Sequence, residues 1–228
     1  MKRAELAARM GGRILESVLS YKDVSNLVYE GLDFHMDCIQ IFPNMLEKAQ
    51  EVRAGRDLPL CAVISYPHGT FTAEQKEFEI HDAIASGADQ VEVVINMLNV
   101  HSGMWDMVRK EMESCRRAAG AHILKFIIEM EFLKDEEIRR VCSLAAEAGV
   151  DRIVTSIGVY TYVNHEGREL PYLISPDDVR KIKDSVGDRV KIVAQGHVDS
   201  LEKTLALLDA GADYVSSEFA AQILRVCR

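Results

Sequence analysis

Glu92 and Glu129 each fall in a short run of β-branched and aromatic residues, QVEVVIN (90–96) and LKFIIEM (124–130). A carboxylate held at the end of such a run can give or take a proton beside a carbonyl, above all where a second carboxylate raises its pKa. Two lysines lie in comparable runs, Lys125 in LKFIIEM and Lys191 in VKIVAQ (190–195). A desolvated lysine, or one beside another cation, becomes a nucleophile that forms an imine with a carbonyl. Side chains alternate along a strand, so Lys125 shares a face with Glu129 and lies deeper, while Lys191 shares one with Val193 and Gln195. The plainer role for either lysine is a buried cation paired with a carboxylate. Glu92, Glu129, Lys125 and Lys191 are the candidate catalytic groups.

Around them the chain sets groups that suit a hydroxylated ligand. His68, Thr155, Ser156, Gln195, Gly196, His197, Ser217 and Glu218 all stand at or just beyond the ends of apolar runs, as do Ser65 and Asn96. Thr155 and Ser156 have no His or Asp partner nearby in sequence, which favours hydroxyl binding over a hydrolase-type nucleophile. Glu92, Glu129 and His197 could together hold a divalent metal that polarises a carbonyl, with Glu16 and Glu218 close by. No short metal motif such as HExxH occurs, and nothing in the sequence requires a cofactor. The plainer role of the glutamates is to cap helices or to pair with Arg152 or Lys191.

These groups need a scaffold that brings many strand ends together. Apolar runs recur at 14–19, 38–42, 61–66, 90–96, 124–130, 152–156, 190–195 and 214–218, and the Val- and Ile-rich ones read as strands covered on both faces. Amphipathic segments separate them. Thr72 with Gln75 forms a capping box, and Ser175-Pro176 opens another helix. SGADQVEVV, AGAHILKFII, AGVDRIVTS and AGADYVSS repeat one pattern of helix end, glycine, turn and strand, spaced by roughly thirty residues or twice that. Eight strands with intervening helices predict an α/β fold, a (β/α)8 TIM barrel, with residues 1–228 as one domain. An open doubly wound sheet would call for a Gly-rich phosphate loop after an early strand, and none is present. In such a barrel the C-terminal strand ends carry function. The longest loop there, 157–175, offers Tyr160, Tyr162, Asn164, His165 and Arg168 as a lid. Trp105 and the Met-rich stretch 97–107 read as helix packing.

Composition narrows the partners. A net charge of -9 argues against nucleic acid. No apolar stretch approaches the roughly 18 residues of a membrane span, and the opening residues lack a signal-peptide core. Five scattered cysteines read as reduced thiols of a cytoplasmic protein. The expected partner is a small carbonyl or polyol substrate, with a homo-oligomer as a further expectation from the apolar tail FAAQILRVCR.

Five stretches in order, ISYPHGTFTAEQK, GADQVEVVIN, LKFIIEMEFLKDEEI, GVDRIVTSIG and GHVDSLEKTLALLDAGADYVSS, resemble the deoxyribose-phosphate aldolase family over nearly the whole chain. That family comprises class I aldolases on a (β/α)8 barrel, with motifs such as GADEIDMVIN, KVIIET, GADFVKTSTG and KASGGIRT. The resemblance implies a Schiff-base lysine at position 154 and a second lysine at 193 that depresses its pKa. Both positions hold valine. It further implies that Glu92 stands for an aspartate, and that Gly196-His197-Val198-Asp199 and Ser216-Ser217-Glu218-Phe219-Ala220 replace two phosphate-binding stretches. An inward carboxylate at Glu218 would repel a phosphate. The expectation is therefore an aldolase-like lyase or isomerase that uses carboxylates instead of an imine. A Schiff base relocated to Lys191 or Lys125, and a catalytically silent paralogue that binds a metabolite or a protein, stay open.

Overall fold

A computed structural model describes residues 1–16, 19–158, 161–163 and 169–228, with 161–163 and 169–171 described at the backbone only. Eight parallel strands close a barrel: β1 (Met10–Arg13), β2 (Cys38–Ile41), β3 (Leu60–Ile64), β4 (Gln90–Val94), β5 (Ile123–Ile127), β6 (Arg152–Val154), β9 (Lys191–Ala194) and β10 (Tyr214–Ser217). β7 (Thr161–Val163) and β8 (Glu169–Pro171) form an antiparallel pair within the long loop after β6. Tyr160, Asn164, His165, Arg168 and the side chain of Tyr162 lie outside the described residues. The helices that bear on the site are α1 (Arg3–Ala7), α2 (Tyr21–Phe34), α3 (Leu46–Arg53), α4 (Ala73–Ala85), α5 (Met97–His101), α6 (Trp105–Ala119), α7 (Asp135–Glu147), α8 (Pro176–Val186), α9 (Leu201–Asp209) and α10 (Ala220–Val226).

The fold is the predicted (β/α)8 barrel, and seven strands coincide with apolar runs. The first does not. The predicted run 14–19 lies beyond β1, which is built from Met-Gly-Gly-Arg. Glycines are poor strand formers, so propensity hides this strand. Packing explains them: a Cβ on Gly12 would come within 3.1 Å of Leu27 and Met36, so α2 rests directly on the strand.

Side chains pointing outward from the strands join the helices in the main core, for example Ile39, Ile64, Val93, Phe126, Ile153 and Val215. Those pointing inward divide by depth. Near the C-terminal mouth Val63, Val94, Ile127, Val154 and Val193 form one apolar cluster with Leu15 and Ile157. Below it lie Gln40, Glu92 and Lys125. The helix ends follow the repeat: Gly87 and Gly149 have φ of +96° and +74°, which a glycine adopts without the Cβ clash. The Thr72–Gln75 capping box and the Ser175 cap with Pro176 both form. The tail folds as α10 and buries Ala220, Ala221, Ile223 and Leu224 against its own barrel. Among the described residues no helix is long and apolar enough to cross a membrane.

Candidate active site at the barrel mouth

Val154 and Val193 are direct neighbours in register across β6 and β9. Both are buried in the apolar cluster, which Phe42, Tyr66 and Tyr214 flank. The centre of the mouth is therefore lined by hydrocarbon.

Glu92 was expected at a strand end and lies inside instead. It is the third residue of β4 and fully buried, accepting a hydrogen bond from Gln40 Nε2 at 2.7 Å and pairing with Lys125 at 3.8 Å. Burial raises its pKa, against the pull of Lys125 and Arg13. Lys125 faces inward two residues before Ile127, which puts it ~7 Å below the apolar layer. Its Nζ contacts Cys38 Sγ at 3.4 Å. Burial works against the ammonium, but Cys38, Cys61 and Glu92 outweigh it and raise the pKa. Lys125 is thus held as a cation, the opposite of an activated amine. Lys191 corrects a second expectation: its side chain is 54% exposed and pairs with Asp213 at 2.9 Å. As the first residue of β9 it lies at the open lower rim, where a side chain on the inner face can fan out to solvent. Arg152 is likewise taken, by Asp37 at 2.6 Å.

Glu129 follows β5 with a left-handed backbone, φ +49°, and is 1% exposed. It accepts hydrogen bonds from the Ile157 N–H at 3.1 Å and from Ser156 Oγ at 3.3 Å. The Glu131 carboxyl lies close enough to couple electrostatically to it, and Ser156 Oγ donates to Glu131 at 2.5 Å. Burial first, and the Glu131 charge second, push the Glu129 pKa up to about 9. Burial also raises Glu131. Two carboxyls this close hold one proton between them at neutral pH. Behind them Tyr172 donates to Asp178 at 3.1 Å. Sequence reasoning missed Glu131, although the Glu-Met-Glu spacing was there to read.

Glu129 opens on a cavity of about 330 Å³ whose walls include Pro67, His68, Thr70, Val94 and His101. A sharp turn shapes its far wall: the Gly69 N–H donates to the Ser65 carbonyl at 2.8 Å, and a Cβ on Gly69 would stand 2.1 Å from the Ile95 oxygen. No other residue fits there.

The remaining candidates scatter. Thr155 Oγ1 donates to the Gln195 carbonyl at 2.5 Å and accepts from its N–H at 2.9 Å, so this hydroxyl clasps β6 to β9. Gln195 Nε2 donates to the Ser156 carbonyl, while its buried Oε1 has no hydrogen-bond partner among the described residues. Gly196 leaves room for Tyr172, whose ring would meet a Cβ at 2.9 Å. Ser217 donates to the Val198 carbonyl. His197 has φ +48°, packs edge-on against Phe219 and lies 3.8 Å from Asp199. Glu218 does not point inward; it is exposed on the rim, where it lines a different cavity with Glu16. Glu92 lies beside Lys125 in register, four residues before Glu129, or ~13 Å along the strand. Among the described residues no group of three His, Cys, Asp or Glu is arranged to hold a metal. Glu92, Glu129 and His197 are therefore not a ligand set.

The model of the DeoC/LacD family aldolase matches residues 2–205. The chain belongs to this family. It is 33% identical over 212 residues to the deoxyribose-phosphate aldolase of Staphylococcus carnosus (strain TM300), covering 93% of this chain and 92% of that one. The corresponding protein of Clostridioides difficile (strain 630) is 32% identical over the same shares. Among solved structures, QR15, an aldolase, superposes with a TM-score of 0.88 at 25% identity, covering 97% of this chain and 95% of that one. A tetrameric deoxyribose phosphate aldolase from Aeropyrum pernix shares the fold, with a TM-score of 0.86 at 24% identity and coverage of 98% and 91%. Members of the family are aldolases, and the aldolase-type lyase fold is common to all of these.

Proposed function

We propose that this member of the aldolase family is a lyase or isomerase acting beside the carbonyl of a small sugar-like or polyol substrate, without an imine. In this reading Val154 and Val193 occupy the family's two lysine positions, and acid–base chemistry has moved to the Glu129 cavity. Glu129 gives its proton to the carbonyl oxygen as the α-hydrogen leaves, and His68 on the facing wall takes that hydrogen. Ser156 and the Ile157 N–H position Glu129, while burial and the Glu131 charge keep it protonated; Glu92 has no part. The observation that carries the reading is a buried carboxyl with its pKa raised to about 9, on a residue that lines a rim cavity, while Val154 and Val193 are packed in hydrocarbon.

The test is exchange of α-hydrogens with D2O, followed by proton NMR on dihydroxyacetone and glyceraldehyde. Exchange is expected with the wild type and should fall ~100-fold or more in Glu129→Gln. Equal exchange by the variant would remove Glu129 from the chemistry. Borohydride trapping in the presence of acetaldehyde and the same carbonyls should give no adduct; one mapped to Lys125 would restore imine chemistry. The apolar filling of the barrel centre also supports a second reading, a silent paralogue that only binds. Absence of exchange and of any turnover across the carbonyl panel would select it.

A further inference from the structure

A second cavity opens at the C-terminal rim, apart from the one that holds Glu129. It measures about 490 Å³ and lies between the end of β1, α2, the loop after β6 and the end of β10. Its floor is Arg13, 7% exposed. Arg13 Nη2 donates to the Ile157 carbonyl at 2.6 Å. Among the described residues its Nε and Nη1 donate to nothing, and the guanidinium has no ion-pair partner. Glu92 feels its charge but is bonded to Gln40 and paired with Lys125. Gly158 leaves Nη1 uncovered: a Cβ there would stand 3.3 Å from it. A guanidinium this buried is costly without an anion.

Four carboxylates line the same cavity, and two are occupied. Asp23 caps α2 through Ser20, and Glu30 pairs with Arg225 at 2.7 Å. Glu16 and Glu218 are exposed and have no hydrogen bond or ion pair among the described residues. Leu15, Leu19 and Leu27 supply apolar wall. One buried cation thus faces two free carboxylates across a partly apolar space. A phosphate dianion would meet one guanidinium and two like charges. A simple carboxylate would use the floor alone, and a simple amine the rim alone.

We propose that this cavity binds a small amino-carboxylate, its carboxylate on Arg13 and its ammonium between Glu16 and Glu218, with a short methylene spacer along the leucines. The proposal does not rest on the chemistry assigned to Glu129.

NMR titration of the full chain tests it, with glycine, β-alanine, 4-aminobutanoate and 5-aminopentanoate as probes and acetate, butylamine and inorganic phosphate as controls. At least one amino-carboxylate should saturate and bind ~10-fold or more tightly than every control. Arg13→Gln should lose that binding. Glu16→Gln with Glu218→Gln, on exposed side chains that the fold does not need, should weaken the amino-carboxylate while leaving acetate unchanged or improved. Acetate or phosphate binding as tightly as the best probe would overturn the proposal. So would an unchanged affinity in the double variant, or no saturation by any probe.

Discussion

Glu129 shows how one residue can be set by its surroundings. Its backbone sits in the left-handed region, φ +49°, which costs a non-glycine residue something and turns its carboxyl toward Glu131 and the Ile157 amide. The consequence is a stability that depends on pH. In the unfolded chain a glutamate titrates near ~4.3, whereas the folded pKa is raised to about 9. Between these values the folded state binds the extra proton, so this group adds no penalty below the unfolded pKa and a growing one as pH rises toward the folded pKa. Glu129→Gln keeps the shape and removes the titration. The variant should gain stability over the wild type progressively from pH 5 to pH 9, measured by urea unfolding. A constant difference between the two across that range would mean that the carboxyl is not held protonated.

The elements around the site are fixed by a contact that sequence periodicity does not reveal. Lys76 of α4 is fully buried, and its Nζ donates to Glu111 of α6 at 2.6 Å and to the Val94 carbonyl at 2.7 Å. Glu111 in turn accepts from the Asn96 N–H. Two helices and the end of β4, which lines the Glu129 cavity, are tied at one point. Lys76→Met leaves Glu111 buried and unpaired, and should cost ~3–5 kcal/mol. Lys76→Met with Glu111→Leu removes both charges and should recover much of that loss in the same denaturant assay; an equal or greater loss would deny the coupling. What sequence made legible at this scale follows from physics. Seven strands announced themselves because both faces are covered, which selects Val and Ile runs. β1 was hidden because α2 presses on it and only glycine fits. Lys76 was silent because a lysine at a helical position ordinarily marks the exposed face.

At the scale of the molecule the barrel interior is layered, hydrocarbon above and charge below, and this layering decides which candidates could meet. Alternation along a strand assigned Lys125 and Val193 to the inside and ordered residues within one strand, but it does not say where each strand begins and ends in the barrel. That is why Glu92 was placed at the mouth and Lys191 in the interior. Glu129 and Ser156 were readable because they follow the strand ends; Arg13 was not, because its strand was not. The lower layer makes a further prediction. Glu92 is raised by burial and restrained chiefly by Lys125. In Lys125→Met that restraint goes, so the folded pKa of Glu92 climbs further from its unfolded value. At low pH Glu92 is protonated in both states and the loss of Lys125 costs little; as pH rises past ~4.3 the unfolded chain ionises and the folded one resists. The destabilisation of Lys125→Met relative to the wild type should therefore widen from pH 5 to pH 8, approaching the ~3–5 kcal/mol of a broken buried pair. Adding Glu92→Gln should flatten that dependence. A penalty that stays constant with pH would show that Lys125 acts by packing alone and that the charge below the apolar layer is not what the barrel is balanced around.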